Sequence, residues 1–435
     1  MILSWRRFLI YFLLLAAGIK GFSLDLSDTS TILSNSFYDM SGDNEGTTGF
    51  RSLLIPTGGR PESLGSAYTG LCDDISFFDY NPAASSVLEQ SEIALFHNSW
   101  IADSAMETIA AATRFGNFGL GGKISCFYVP FSEYDTFGTR TASSYYSETT
   151  AVFNASYNFF SGYKFRGIAA GANIKVGWRA VPDYTDNYSG EIISQSGLEQ
   201  SALAFMADIG LLTRFNLGKL YDSRDTNFKI GLSITNLGAA ITGFSESITI
   251  DDPLPTTVGM GISYKIIRPL TLALEFRQPI NLADLSEYQM FYFSGGVCAD
   301  ILPFFSVLGG FQLKGANPRF SIGGEFEVLK VRFNVNYSLD LTTSFNPVNR
   351  ISLSAKIRLG DRGRAEQMEK IDELYKQGIL YYTAGEYELA INTWKEILLI
   401  DKLYDPAINA ISSTEKYLNM LNGVQELSVQ SDSSN

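Results

Sequence analysis

Val331-Arg332-Phe333-Asn334-Val335-Asn336-Tyr337-Ser338-Leu339-Asp340 alternates a large apolar residue with a polar one along its whole length. In an extended chain successive side chains point to opposite faces, so this stretch has one apolar face and one polar face. The pattern recurs about fourteen times between Ser91 and Gly360, as in Phe228 to Thr235, Val258 to Ile266 and Arg350 to Leu359. Runs of roughly ten alternating residues separated by turns are the signature of a transmembrane β-barrel.

A soluble β-sandwich alternates too, so the connections carry the decision. The first, third, fifth and seventh span about 5, 18, 24 and 17 residues, whereas most of the others shrink to two or three, such as Gly116-Asn117 and Arg268-Pro269. Long and short connections therefore fall at opposite ends, the asymmetry of outer-membrane barrels. The expected fold is an all-β transmembrane barrel of about fourteen antiparallel strands over residues 91–360, in the outer membrane of a diderm bacterium.

Composition fits. The 435 residues are 45% hydrophobic and include 31 Phe and 23 Tyr, enough for a lipid-facing surface with aromatic girdles, and no internal stretch has the length of a spanning helix. A net charge of −13 disfavours nucleic acid as a partner, because no basic patch is present to neutralise phosphates. Residues 1–23 carry Arg6 and Arg7, an apolar run from Phe8 to Gly18 and small Gly21 and Ser23, which together predict a cleaved signal peptide. Residues 24–48, rich in Ser, Asp and Asn, are expected to be flexible.

Chemistry-bearing residues are scarce. His97 is the only histidine, so a histidine-based metal site or a serine triad lacks raw material. Cys72, Cys126 and Cys298 are too scattered for a disulfide framework and are expected as small buried hydrophobes. Gly121-Gly122 and Gly295-Gly296 sit inside strands with no following helix, which predicts bulges or bends rather than phosphate binding. No enzyme, cofactor or metal is expected.

Residues 49–90 read differently, as a compact unit of glycine, proline and small residues. Arg60-Pro61-Glu62-Ser63-Leu64-Gly65-Ser66-Ala67-Tyr68-Thr69-Gly70, then Asp73-Asp74 and Tyr80-Asn81-Pro82-Ala83-Ala84, resembles the N-terminal motif of the PorV/PorQ branch of the FadL-like outer-membrane proteins. Residues 49 to 360 also look like an uncharacterised family of spirochaetal proteins in that superfamily. The resemblance implies a fourteen-stranded barrel with an N-terminal hatch folded into the lumen, in which Gly65, Asp73, Asp74, Asn81, Pro82 and Ala83 are hatch residues. Leu64-Gly65-Ser66 departs from the Gly-Met-Gly usual there. Small Gly65, Ser66, Ala67, Ala83 and Ala84 suit close packing inside a polar lumen, and a surface cap is the alternative. Asp73-Asp74 reads as turn capping, with a calcium loop as the competing reading.

In fatty-acid transporters of this superfamily a kink in the third strand opens the wall sideways. Gly119, Gly121 and Gly122 here could supply such a lateral opening, although glycine in a strand also marks a bulge or a close contact. Inward Lys123, Lys175, Arg214, Lys229, Lys265, Arg277, Arg332, Arg350, Lys356 and Arg358 could meet a carboxylate, or pair with Asp208, Glu275, Glu325, Glu327 and Asp340.

After Gly360 the period changes to about 3.6, predicting amphipathic helices over 365–383, 386–400 and 405–421. Leu374, Gly378, Tyr381, Ala390 and Trp394 resemble a tetratricopeptide repeat, which makes residues 361–422 a small helical unit, and 423–435 are expected to be a disordered tail. An even strand number returns the chain to its starting side, so the helical unit is expected in the periplasm. Two functions follow. One is a FadL-like transporter taking up long-chain fatty acids or other hydrophobic nutrients by passive, hatch-gated diffusion, with a lateral exit as one variant and membrane lipid around it. The other is a PorV-like platform that docks secreted or periplasmic proteins through its loops near Thr136 and Tyr188 and through the helical unit.

Overall fold

The structure is a computed structural model that describes residues 49–433, apart from 102, 136, 164, 182–200, 222, 224, 243–252, 283–288, 315–316 and 341–347. The expected signal peptide, the 24–48 segment and the loop positions 136 and 188 lie outside the described residues. Fourteen antiparallel strands close on themselves: β1 (Ser91–Ser99), β2 (Ala105–Phe115), β3 (Phe118–Tyr134), β4 (Arg140–Phe159), β5 (Ile168–Ala180), β6 (Ala202–Phe215), β7 (Phe228–Thr242), β8 (Thr256–Ile267), β9 (Leu270–Ile280), β10 (Tyr292–Leu302), β11 (Phe305–Lys314), β12 (Asn317–Val328), β13 (Val331–Asp340) and β14 (Val348–Gly360). Each strand pairs with its neighbours in sequence, and β14 returns to β1 with Leu95 opposite Ala355 and Ser91 opposite Gly360.

The apolar faces point outward. Leu95, Ile109, Ile124, Phe153, Ile174, Leu232, Met260, Ile322 and Leu353 are exposed, while their neighbours Asn154, Asn173, Ser233, Asn334, Asn336 and Ser352 are buried inside. This inverts a soluble barrel, where the apolar set would fill the interior. An apolar patch encircling the whole wall is far beyond what a water-soluble monomer exposes.

The connection after β3 differs from expectation. β3 and β4 run on as a paired hairpin to Tyr134 opposite Arg140, leaving a connection of residues 135–139 where about 18 residues of loop were expected. Serines and threonines gave the segment a loop-like composition, but Tyr128, Val129, Phe131, Tyr145 and Tyr146 favour a pleated strand and carry the ladder past Pro130.

Beyond the barrel lie α1 (Arg364–Thr383), α2 (Tyr387–Ile400) and α3 (Asp405–Ser433). α1 and α2 form an antiparallel hairpin around Ile371, Ala390, Ile391, Trp394 and Ile397, to which α3 adds Ala407 and Ile411. The unit sits at the short-turn end, where the Arg364 guanidinium donates to the Leu88 and Arg114 carbonyls and Tyr163 meets Tyr404 edge to face at 5.1 Å. α3 reaches Ser433, through residues expected to be disordered. Polar composition pointed to disorder there, but once a helix is nucleated each further residue adds a bond at low cost, and Gln425-Glu426-Leu427 are good helix formers.

Candidate functional site

Residues 49–88 fold as a series of short helical turns, at Arg51–Leu54, Arg60–Ser63, Ile75–Asp79 and Pro82–Val87, enclosed by the strands. Wall side chains take up this segment's backbone groups from all sides. Asn98 donates to the Pro56 carbonyl at 2.6 Å, Asn336 to Gly59 at 3.0 Å, Asn154 to Pro82 at 2.9 Å, Asn173 to Phe78 at 3.0 Å and Lys229 to Leu71 at 2.9 Å. The Glu275 carboxylate accepts the N–H groups of both Tyr68 and Thr69 at 2.6 Å. A buried coil segment has unpaired backbone groups that must find partners, and here the partners belong to the barrel.

The Asn-Pro-Ala element shows how residue type sets position. Asn81 accepts from the Ala83 N–H at 3.1 Å, capping the next turn, while its amide donates to the carbonyls of Thr69 at 3.1 Å and Leu211 at 2.9 Å. Proline follows at the first helical position, where it forfeits no bond. All three residues are buried.

Asp73 and Asp74 join a charged cluster deeper in the lumen. Tyr68 donates its hydroxyl toward Asp73 at 2.8 Å and Asp74 at 2.7 Å, Arg60 lies 3.2 Å from Asp73 and also pairs with Glu325 on β12, and Lys356 on β14 pairs with Asp74. Asp74 also caps the turn after it, accepting from the Ser76 N–H at 2.8 Å. Burial alone would raise the Asp74 carboxyl, but Lys356 and Arg60 outweigh it and hold the group well below the usual carboxylate range. Glu62, buried with weaker cationic support, is pushed upward by desolvation.

Inward glycines bring the wall into direct contact with the segment. A Cβ on Gly231 would stand 2.0 Å from the Thr69 oxygen, one on Gly310 2.1 Å from the Leu64 carbonyl carbon, one on Gly171 2.3 Å from the Pro82 oxygen and one on Gly119 2.2 Å from the Ser85 carbonyl carbon. Three of these four are matched by a glycine across the sheet: Gly171 is opposite Gly210, Gly231 opposite Gly261, and Gly310 opposite Gly296. No other residue type permits backbone to lie on backbone in this way.

The luminal segment divides the interior. Toward the long connections a cavity of about 440 Å³ is lined by Trp100, Phe127, Tyr146, Tyr292, Lys314 and Arg319, among others. Toward the short turns a second, of about 410 Å³, is lined by Asp73, Lys229, Asp300, Glu327, Arg332 and Arg358, among others. Five basic and two acidic side chains line the first, against five basic and seven acidic in the second. Between them lies a closed layer in which Tyr68, Ile75, Phe77, Phe78, Ala83 and Ala84 are fully buried.

A sequence profile of an uncharacterised protein family, UPF0164, matches residues 27–362. The chain belongs to the UPF0164 family. Two UPF0164 proteins of Treponema pallidum (strain Nichols) are similar to it. One is 27% identical over 393 residues, covering 87% of this chain and 85% of the relative, and the other 26% over 385 residues, covering 86% and 76%. Among solved structures the fold is similar to the P. putida toluene transporter TodX (TM-score 0.45, 12% identity, 69% of this chain and 98% of that one) and the CymD monoaromatic hydrocarbon channel (0.46, 13%, 73% and 99%). It is also similar to a Pseudomonas aeruginosa FadL homologue (0.39, 9%, 67% and 96%). The UPF0164 profile ends just before α1, so the helical unit lies outside it.

Of the residues expected to act together, Gly65, Asp73, Asp74, Asn81, Pro82 and Ala83 all fall in the luminal segment. Gly119, Gly121 and Gly122 do not open the wall. β3 pairs residue for residue with β2 and β4 through all three, Gly119 and Gly121 face inward against Ser85 and Phe78, and a Cβ on the outward Gly122 would meet only the Val152 oxygen at an ordinary 3.6 Å. Gly296 likewise marks a contact with Leu64 rather than a bend. Most of the inward cations pair with acids, among them Lys175 with Asp208 at 2.7 Å, Arg332 with Glu327 at 3.2 Å and Arg358 with Glu327 at 2.6 Å. In the helical unit Leu374, Gly378, Tyr381, Ala390 and Trp394 gather at one core, where the Trp394 indole lies over Gly378 and donates to the Tyr375 carbonyl at 3.3 Å.

Asn154, Asn173 and Asn336, which hold the segment, were not singled out from sequence, and Glu275 was named only as a candidate partner for an inward cation. Their signal was present as polar residues on the inward face at the same height as inward glycines. Reading it needs the register between strands, which no single strand carries.

Proposed function

We propose that the chain is an outer-membrane barrel in a diderm bacterium, with its helical unit in the periplasm, and that it takes up a hydrophobic small molecule by passive passage through a lumen gated by the 49–90 segment acting as a hatch. One observation carries this reading. Among the described residues an apolar outer wall encloses a cavity on either side of the docked segment, and such an interior has an entry chamber, a barrier and an exit. The outer chamber combines aromatic side chains with an excess of cationic ones, which suits an amphiphile with an acidic head, and long-chain fatty acids are the class proposed. Because β3 is closed, the route runs past the hatch rather than through the wall at Gly119 to Gly122.

A second reading has its own support. The hatch is held by buried ion pairs and by backbone lying on glycine, as a permanent plug would be. A permanently plugged barrel is a membrane platform, with partner proteins held by the loops or the helical unit, as in the PorV branch. The test is binding of a fluorescent fatty acid to the folded protein. Saturable binding that survives removal of Ala365 to Asn435 supports transport. No binding, together with a protein lost from pull-downs when that segment is removed, overturns it in favour of the platform.

A further inference from the structure

The turn between α2 and α3 carries apolar side chains that the helical core does not use. Leu399 is 84% exposed and Leu403 55%, while their neighbours Ile397 and Tyr404 are buried in that core. Leu399 and Leu403 flank Asp401 and the exposed Lys402. Leu399 lies at the end of α2 and Leu403 in the turn that follows, so apolar surface that the helical core leaves uncovered is concentrated at this end of the unit.

The position of this turn supplies the reason. Tyr404 packs on Tyr163, in the connection between β4 and β5, so the turn stands at the rim where the short turns lie. That connection carries its own exposed aromatics: Phe160 is 80% exposed, and Phe159 and Phe165 are exposed beside it. Phe115, Phe118 and Phe304 continue the ring around the same end. Aromatic side chains at one end of an apolar wall mark the level of the lipid headgroups. Leu399 and Leu403 are thus continuous with a surface that meets lipid.

We propose that the α2–α3 turn is a second membrane contact, with Leu399 and Leu403 inserted into the phospholipid leaflet on the short-turn side and Lys402 reaching up to its phosphates. The inference rests on the barrel spanning a membrane. A short apolar tip flanked by a lysine is the composition of interfacial anchors, the apolar groups entering the acyl boundary and the long basic side chain snorkelling to the headgroups. The partner is the bilayer already surrounding the barrel rather than a protein, because Tyr404, next to Leu403, meets Tyr163 of the aromatic rim. The helical unit then meets the membrane at this tip.

Spin labels test this in the full chain, folded into phosphatidylcholine–phosphatidylglycerol vesicles, with Cys72, Cys126 and Cys298 replaced by Ala. Single cysteines are introduced as Leu399→Cys, Leu403→Cys and, on the outer wall, Leu232→Cys, and collision with oxygen is compared with collision with an aqueous nickel chelate. All three labels are expected to favour oxygen. Labels at 399 and 403 that favour nickel, with 232 favouring oxygen, overturn the membrane contact and leave the barrel intact. Labels at 399 and 403 shielded from both reagents mean a protein occupant and overturn it equally. A label at 232 that favours nickel removes the membrane reading itself.

Discussion

The carbonyl oxygen of Thr69 rests on Gly231: a Cβ at that glycine would stand 2.0 Å from it. Wall and luminal segment meet there without a side chain between them, and Asn81 donates to the same oxygen at 3.1 Å. Gly231→Val must therefore either bend β7 or displace the segment. We expect a loss of about 1–3 kcal/mol or more, the range for overpacked sites. Gly122→Ala, on the same sheet but facing outward, where its Cβ would make only an ordinary contact with the Val152 oxygen at 3.6 Å, should stay within about 0.5 kcal/mol. Limited proteolysis between Gly49 and Leu88 reads the displacement, and equal resistance in the two variants would show that the glycine contact does not position the segment.

Face assignment on β7 gives a second test. Leu232 is exposed on the outer wall, whereas Thr235 lines the 440 Å³ cavity. Leu232→Arg places a charge against lipid and should cost roughly 2–4 kcal/mol if its level is near the midplane, seen as failure to form a heat-modifiable band on a gel. Thr235→Arg enters a polar chamber and should assemble. If both assemble equally, the wall does not face lipid.

The barrel was legible because its code is local. Each strand writes its own period-two pattern, as Val331 to Asp340 does, and the strand count, β1 to β14 closure and short turns follow from repetition. Gly119 and Gly121 show where that code stops. A glycine in a strand is the same letter whether it kinks the wall or receives a neighbouring backbone, and only the distances to Ser85 and Phe78 separate the two. The charged cluster was half legible for the same reason. Asp74 and Lys356 are 282 residues apart, and no spacing rule joins them.

Acidification should loosen the luminal segment. The Asp74 carboxyl is held below its usual range by Lys356 and Arg60, so the folded state binds its proton less readily than the unfolded chain does. The stabilisation is therefore fully present above the ordinary carboxylate value, and it is lost as pH falls below that value toward the lowered folded one. Wild-type protein in detergent should lose thermal stability across that window. Asp74→Asn should start about 3–5 kcal/mol lower, because Lys356 keeps its burial and loses its partner, and should depend less on pH. An unchanged pH slope in Asp74→Asn would show that another group carries the effect.

In the helical unit, Gly378→Ala sets two magnitudes against each other. Alanine favours a helix over glycine by about 1 kcal/mol, but its Cβ would stand 2.2 Å from Nε1 of Trp394. Packing should win, since the indole is buried and fixed by its bond to Tyr375, and a net loss of about 1–3 kcal/mol is expected. Trp394 fluorescence during urea unfolding measures it. A gain in stability would mean that the indole moves aside freely, and that Gly378 is not the seat on which the hairpin closes.

The last test separates transport from docking by immobilising the luminal segment. Ser85 in the luminal segment and Ser156 on β4 have their hydroxyl oxygens 2.6 Å apart, close enough that cysteines placed there can bridge with little movement of either backbone. Ser85→Cys with Ser156→Cys, oxidised after folding, should leave fatty-acid binding at the outer cavity intact while stopping passage into proteoliposomes. A reductant should restore it. Recovery on reduction distinguishes a held gate from a damaged barrel, because the same molecules are compared before and after one bond is cut. Passage that continues with the bridge closed would mean that the segment need not move at Ser85, and the gate would have to lie elsewhere in the lumen. If neither state passes fatty acid and a protein partner is retained by both, the segment is a fixed plug and the barrel is a platform.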